Sequence, residues 1–332
     1  MPMRFPGVGP PRAALLLRSE HLVLLLSAAA ALAFWAAVPG FASGRNAANV
    51  LQNTLPLLAL AIGQSFVLIG GGIDLSVTAS IALASVVGAS IMTGDGGPLA
   101  GHPMAVPAAV AAMLGVGGAM GGINGLSATR LGMPPFMVTL ATLTAGGGLA
   151  VWYTKSQKIY ELPDAFVGVS YGSVLGVPPA AVLVAALAVV AHVALSRTLF
   201  GRWLYASGMN PRAAEVSGVP VGRVTAASYV VSGLCAAIGA ILYTSRLETG
   251  SPEIAPRILL DVIAACVIGG TSLFGGRGGV RRTAYGVLFI AVIDNGLNLM
   301  NLSNFAIMIV KGGVILLAAL LDSARARAAG RA

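Results

Sequence analysis

Residues 55–92 read LPLLALAIGQSFVLIGGGIDLSVTASIALASVVGASIM, an almost unbroken apolar stretch whose only charge is Asp74. Since a helix needs about 20 apolar residues to cross a hydrocarbon core of roughly 30 Å, this length predicts two membrane-spanning helices. The three glycines at 70–72 free the backbone from helical geometry, and such a break at membrane depth is tolerated only against protein or water. Asp74 therefore either faces a pathway across the membrane or caps the second helix.

The whole chain has the composition of a membrane protein. Hydrophobic residues make up 57% of its 332 residues and charged residues 9%, whereas soluble domains carry about 25% charged residues. The net charge of +9 comes from basic residues in short segments between apolar runs, which is typical of orientation signals and unlike a nucleic-acid-binding patch. The two cysteines and three histidines show no spacing that indicates a metal site or a disulfide framework.

Apolar segments of about the length of a membrane span recur along the chain. They predict an all-α polytopic membrane protein with about ten transmembrane helices, including a broken or re-entrant segment. The segment 258–274 is the one that either spans or re-enters. The predicted spans are 21–38, 54–72, 76–92, 104–125, 136–153, 178–195, 224–243, 258–274, 283–300 and 305–321.

The distribution of Lys and Arg orients these helices. With a cytoplasmic N-terminus, 14 of the 20 basic residues fall in inner segments, 5 in outer segments and Lys311 within a helix. This bias predicts that both termini are cytoplasmic. We expect a cytoplasmic segment at 1–20, a single transmembrane domain at 21–321 and a basic tail at 322–332. Residues 1–38 also resemble a cleavable leader, although we expect an uncleaved first helix.

The fourth predicted span is rich in closely spaced glycines: Gly117, Gly118, Gly121, Gly122 and Gly125. Small residues four apart let two helix backbones approach closely in lipid, where van der Waals contact drives association. We therefore predict a tight helix–helix seam on this span. A pore-lining face is the alternative.

Two charges, Asp294 and Lys311, lie within the last two predicted spans. They fall at similar depth if these spans form an antiparallel hairpin. Pairing would offset the cost of embedding either charge alone, which is about 2.5–3.5 kcal/mol at a helix centre on insertion scales. We predict a structural ion pair, and a proton relay is the alternative.

The longest inner connection, 196–223, contains a predicted short helix at 211–217. Pro211 suits the first turn of a helix that Asn210 caps, and Gly218 suits its end. Such a helix, lying across the membrane face with small residues and one Arg/Glu pair, is either a docking knob for a partner protein or a connector that touches lipid headgroups.

Five stretches resemble the membrane subunit of the ribose/xylose/arabinose-type ABC importers, the sugar-permease branch related to branched-chain amino acid permeases. They occur in family order over about residues 45–323. The chain departs from the family pattern at Thr78, Leu259 and Arg282, which concerns fine geometry and substrate identity more than class. The stretches are GGIDLSV at 71–77, PPFMVTL at 134–140, GR at 201–202 with GMNPRAAEVSGV at 208–219, IGGTSLFGG at 268–276 and NGLNL at 295–299.

The resemblance implies a multi-pass subunit of the bacterial inner membrane that works as a dimer, which we expect to be a homodimer. It implies two cytoplasmic ATPase subunits, which hold ATP and Mg, and a periplasmic sugar-binding protein that delivers substrate. It assigns a membrane signature to Gly71, Gly72, Asp74, Leu75 and Ser76. It assigns ATPase coupling to Gly201, Arg202, Asn210, Ala213, Ala214, Glu215, Ser217 and Gly218.

The chain has no G-x-x-x-x-G-K-[ST] motif for binding nucleotide phosphates, so a partner or an ion gradient must supply the energy. We predict an ATP-driven importer subunit that moves a monosaccharide or related polyol by alternating access, without bond chemistry or a bound cofactor of its own. The alternative is a secondary transporter that uses Asp74 or Asp294 as an ion carrier. A membrane-embedded enzyme is disfavoured because the sequence has neither a zinc-type ligand cluster nor a Ser/His/Asp set.

Polar residues within the spans are the candidates for lining the pathway. Amides and hydroxyls supply the paired donors and acceptors that sugar hydroxyls need, and helix–helix hydrogen bonding is the alternative role for each. The candidates are Gln64, Asp74, Ser76, Asn124, Thr139, Thr142, Asn295 and Asn298.

Overall fold

The structure, a computed structural model, describes residues 22–173, 176–254 and 258–329. The predicted segment 1–20 and the last three residues of the predicted tail lie outside the described residues. Over these ranges the chain forms thirteen helices and no strand longer than the bridge between Ile159 and Gly250. The helices are α1 (Leu22–Ala37), α2 (Gly44–Ile69), α3 (Val77–Met92), α4 (Ala105–Arg130), α5 (Pro135–Thr154), α6 (Asp164–Tyr171), α7 (Pro179–Arg197), α8 (Leu199–Met209), α9 (Pro211–Val216), α10 (Val221–Leu247), α11 (Ile258–Ile268), α12 (Val280–Leu299) and α13 (Asn304–Ala329).

The chain is an all-α polytopic membrane protein, as the sequence predicts. Each of the ten predicted spans overlaps a helix, and α2, α4, α5, α7 and α10 are by themselves long and apolar enough to cross a membrane. With 11 residues, α11 extends only about 16 Å at 1.5 Å per residue. As a helix it therefore does not cross the bilayer alone, which favours the re-entrant alternative for 258–274.

Helices α2 and α10 form the centre of the bundle. Helix α10 packs against α2, α3 and α4, while α2 also packs against α7, α11 and α12. In their most apolar stretches 78% of α2 and 61% of α10 is buried, against 22% for α5 and for α7. Helices α5 and α7 therefore lie at the periphery of the bundle.

The seam between α4 and α10 brings two helix backbones into direct contact. A Cβ atom added at Gly117 would overlap the carbonyl oxygen of Gly233, and one added at Gly121 would overlap that of Tyr229. A Cβ at Gly122 would meet no atom within 4 Å. The predicted seam is thus confirmed on one face of α4, where only glycine permits the approach.

Three features differ from or refine the sequence prediction. The sequence pattern does not predict α6 or α8. Helix α2 begins at Gly44, ten residues before the predicted span, because Ser43 accepts a hydrogen bond from the Asn46 N–H and caps it. Helix α13 continues to Ala329, so the predicted tail at 322–332 is helical over its described part.

Candidate functional site

The break between α2 and α3 is a turn in which two positions require glycine for different reasons. Gly71 has φ +82°, a left-handed conformation that favours glycine, and the N–H groups of Gly71 and Gly72 donate to the last carbonyls of α2. Gly72 has a different constraint, because a Cβ there would overlap the hydroxyl of Tyr229 on α10. The predicted break is therefore an ordered turn seated on α10.

Asp74 is buried in this break, and both of its carboxylate oxygens accept hydrogen bonds. Oδ1 accepts from the Ser76 N–H at 2.9 Å and from the Ser76 hydroxyl at 2.7 Å, whereas Oδ2 accepts from the Ser232 hydroxyl at 2.8 Å. The first pair forms an Asx-type turn that leads into α3. The bond to Ser232 ties the break to α10, so Asp74 does more than shape the start of one helix.

The hydrogen bonds of Asp74 continue into α4 and α5. Asn124 Nδ2 donates to the Ser76 hydroxyl at 2.8 Å, and Thr142 Oγ1 donates to Asn124 Oδ1 at 2.7 Å. Thr139 Oγ1 donates to its own helix at Pro135 O, 3.0 Å away, and lies 3.4 Å from Ile73 O. One network of partnered polar groups thus joins the break to three helices.

The other predicted pathway residues lie elsewhere. Gln64 is buried on α2, and neither its Nε2 nor its Oε1 has a hydrogen-bond partner among the described residues. Asn295 on α12 exchanges two amide hydrogen bonds of 2.9 Å with Asn46 on α2. Asn298 is exposed and donates to the carbonyl of Asp294 in its own helix. The structure therefore does not bring the predicted set together around one pathway.

Lys311 pairs with two carboxylates. Its Nζ lies 2.7 Å from Asp294 Oδ1 and 3.1 Å from Asp261 Oδ2, joining α13 to α12 and α11. The contact with Asp294 is predicted from the sequence, whereas the one with Asp261 is not. The sequence did contain a signal for the Asp261 contact, because Asp261 is the only charged residue of the apolar segment 258–274.

The predicted short helix of the inner connection is confirmed as α9. Pro211 occupies its first turn, and the Asn210 side chain accepts a hydrogen bond from the Ala213 N–H at 3.1 Å. Among the residues assigned to coupling, Gly201 and Ala214 are buried. The others are exposed: Arg202, Asn210, Ala213, Glu215, Ser217 and Gly218.

Helix α8 connects α9 to the glycine break. A Cβ at Gly208, near the end of α8, would overlap the carbonyl oxygen of Ile69, the last residue of α2. The Tyr205 hydroxyl donates to the carbonyl of Gly278 at 2.9 Å. Burial raises the pKa of Tyr205 more than the Arg282 charge lowers it, so this hydroxyl keeps its proton and remains a donor. Helix α8 therefore links α9 to the end of α2 through backbone contact.

We expect Ser232→Ala to destabilise the protein, because it removes the α10 donor to the buried Asp74 carboxylate. The expected loss in the free energy of unfolding is about 1.5–3 kcal/mol, the usual range for a hydrogen bond to a charged group. Unfolding of the purified protein in detergent measures it. Ser228→Ala is the control, since its hydroxyl bonds only to Thr225 O in the same helix. Equal losses in the two variants would contradict a role for the Asp74 bond.

The fold and site define a class: a polytopic helical membrane protein in which the loop helix α8, followed by the exposed helix α9, packs on the end of a broken membrane segment. The family described as "Branched-chain amino acid transport system / permease component" matches residues 46–319, and the chain belongs to that family. The subunit is a transport component of an ABC importer and is not an enzyme. No solved structure matches the chain.

Named relatives share most of their length with this chain. The ribose import permease protein RbsC of Bacillus subtilis (strain 168) is 40% identical over 86% of each chain. RbsC of Escherichia coli (strain K12) is 35% identical over 86% of this chain and 88% of that protein. The xylose transport system permease protein XylH of the same strain is 30% identical over 94% of both.

Proposed function

We propose that this chain moves a monosaccharide or related polyol inward across the bacterial inner membrane, driven by ATP hydrolysis on partner subunits. The observation that carries the proposal is the contact of Gly208 with the Ile69 carbonyl, because it joins α8, which leads directly into the exposed helix α9, to the break in the membrane segment. The ribose and xylose named for the relatives support a sugar as the cargo.

The proposed mechanism is alternating access. ATP and Mg bind to two cytoplasmic ATPase subunits, and closure of these subunits displaces α9. Helix α8 passes the displacement to the end of α2, and packed helices then exchange between two arrangements that open to opposite sides. A periplasmic binding protein delivers the sugar, and a second copy of this chain completes the membrane unit as a homodimer.

A secondary transporter is less consistent with the site. An ion carrier needs a carboxylate that can exchange its partner during the cycle. Both oxygens of Asp74 instead accept hydrogen bonds from Ser76 and Ser232, and Asp294 faces the ammonium group of Lys311. Asp74 therefore has both oxygens engaged, and Asp294 has one oxygen held by a fixed cation.

Uptake into proteoliposomes tests the proposal. Vesicles would contain this chain and its ATPase, with the ATPase facing the lumen. ATP would be enclosed in the lumen, and the binding protein would be added outside. A panel of pentoses and hexoses identifies the cargo. We expect uptake only when all three proteins and ATP are present. Uptake by this chain alone under a proton or sodium gradient would overturn the proposal in favour of a secondary transporter.

Gly208→Ala is expected to lower ATP-dependent uptake per folded transporter, because the added Cβ must push α8 away from the end of α2, where both contacted groups are backbone, at a cost of about 1–3 kcal/mol. The added Cβ would overlap Ile69 O and lie 2.7 Å from Gly276 N. Gly222→Ala in the first turn of α10 is the control, since its Cβ would meet only Thr129 Cβ, at 3.9 Å. Unchanged uptake in Gly208→Ala would rule out this contact as the route of coupling.

A further inference from the structure

The loop 272–277 lies between α11 and α12. We term it the second loop, to distinguish it from the inner connection 196–223. It is a compact turn with its own internal hydrogen bonds. Ser272 N donates to Arg277 O at 3.0 Å, and Phe274 N donates to the Ser272 hydroxyl at 3.1 Å. Gly270, with φ +91°, ends α11 in the same way as Gly71 ends α2. The loop therefore presents its side chains from a defined backbone.

The second loop is fixed against the end of α8, beside the coupling helix α9. Gly276 N donates to Ile69 O at 2.8 Å. A Cβ at Gly275 would lie 2.6 Å from Gly208 O, and one at Gly276 would overlap the side chain of Met209. Met209 is separated from α9 by Asn210 alone. The second loop and α9 are thus two parts of one surface.

This surface exposes large apolar side chains outside the membrane-spanning helices. Phe274 is 79% exposed and Met209 76% exposed, and Val216 at the end of α9 is 91% exposed. Exposed arginines flank the second loop and α9 at 212, 277 and 281. By the distribution of basic residues, this side of the bundle faces the cytoplasm.

We propose that Phe274 is a second anchor for the ATPase subunit, acting beside α9. The inference rests on the proposed function, because it supplies the partner. A large aromatic side chain presented from a rigid backbone is the usual form of an interface hot spot. The arginines around it favour a partner pocket that is apolar at its centre and acidic at its rim. Since the second loop and α8 are in backbone contact, docking there would act on both α2 and α11.

The first test measures binding of the ATPase that supports uptake with this chain. Phe274→Ala is expected to weaken its binding to the detergent-solubilised permease about tenfold or more, as truncation of a hot-spot side chain does. Phe305→Ala is the matched control, because Phe305 is a 75% exposed aromatic on α13 outside this surface. Binding of Phe274→Ala within about twofold of the parent would overturn the proposal.

The second test asks what Phe274 touches. A photoreactive phenylalanine analogue placed at 274 in the reconstituted transporter is expected to give an adduct with the ATPase, and one placed at 305 an adduct with lipid only. A lipid adduct alone at 274 would mean that the second loop rests on headgroups and would overturn the proposal. If three-component uptake is normal while both tests fail, the inference falls and the proposed function stands. If the ATPase supports no uptake, both fall.

Discussion

Gly121→Ala is expected to be among the most destabilising small changes in this protein. A Cβ there would overlap the Tyr229 carbonyl oxygen and lie 2.8 Å from Val230 Cα, so the clash is with backbone that cannot change rotamer. Overpacking in a filled interior costs about 1–3 kcal/mol, and we expect the upper end of that range. The free energy of unfolding in detergent, or the yield of monodisperse protein, measures the effect.

The same helix supplies the control for this experiment. A Cβ at Gly122 would meet nothing within 4 Å, and one at Gly118 would make only an ordinary contact with Leu234, at 3.6 Å. Alanine at either position should be neutral, or stabilise α4 by about 0.5–1 kcal/mol through its higher helix propensity. If Gly121→Ala and Gly122→Ala have equal stability, the α4–α10 seam is not the close backbone contact described above.

Lys311→Met is expected to have the second large effect, because it leaves Asp261 and Asp294 close together without a cation. Removing one partner of a buried ion pair costs about 3–5 kcal/mol. We expect the lower end of that range, since the side chains of Lys311, Asp261 and Asp294 are 17%, 22% and 42% exposed. Folded yield and the thermal unfolding midpoint of the purified variant measure the loss.

Asp294→Asn is the informative comparison for Lys311. It should lower the folded yield, but less than Lys311→Met, since Lys311 keeps its 3.1 Å contact with Asp261. Equal losses in the two variants would mean that Asp261 contributes nothing to the cluster. Normal yield of Asp294→Asn together with lost uptake would contradict the structural role and favour the proton relay.

The sequence predicted the helices well where the signal was local. All ten predicted spans overlap helices, and the Asn210–Pro211–Gly218 pattern correctly predicted α9. Prediction from the sequence failed where the signal was weak or depended on distant residues. The polar start of α2 depends on a cap at Ser43 and on the pairing of Asn46 with Asn295, 249 residues away. A hydropathy average over neighbouring residues detects neither contact.

The candidate site was predicted in part, for the same reason. The break at 70–76 and the position of Asp74 within it follow from glycines and a charge placed in an apolar stretch. The partners of Asp74 do not follow, since Ser232 lies 158 residues away on α10. The pathway set was assembled from residue type alone. The structure distributes it among the Asp74 network, the Asn46–Asn295 pair, the exposed Asn298 and the buried Gln64.

By itself the sequence determined that this is an all-α membrane protein, because hydropathy, basic residues and glycine turns act through local free energies of transfer and backbone conformation. Only the tertiary structure decided which helices and polar groups meet. Lipid tails are as apolar as leucine, so an apolar face carries no signal for its partner, and packing depends on close backbone contacts and hydrogen bonds between distant segments. The contact of Gly208 with Ile69 and the bond from Ser232 to Asp74 are of this kind.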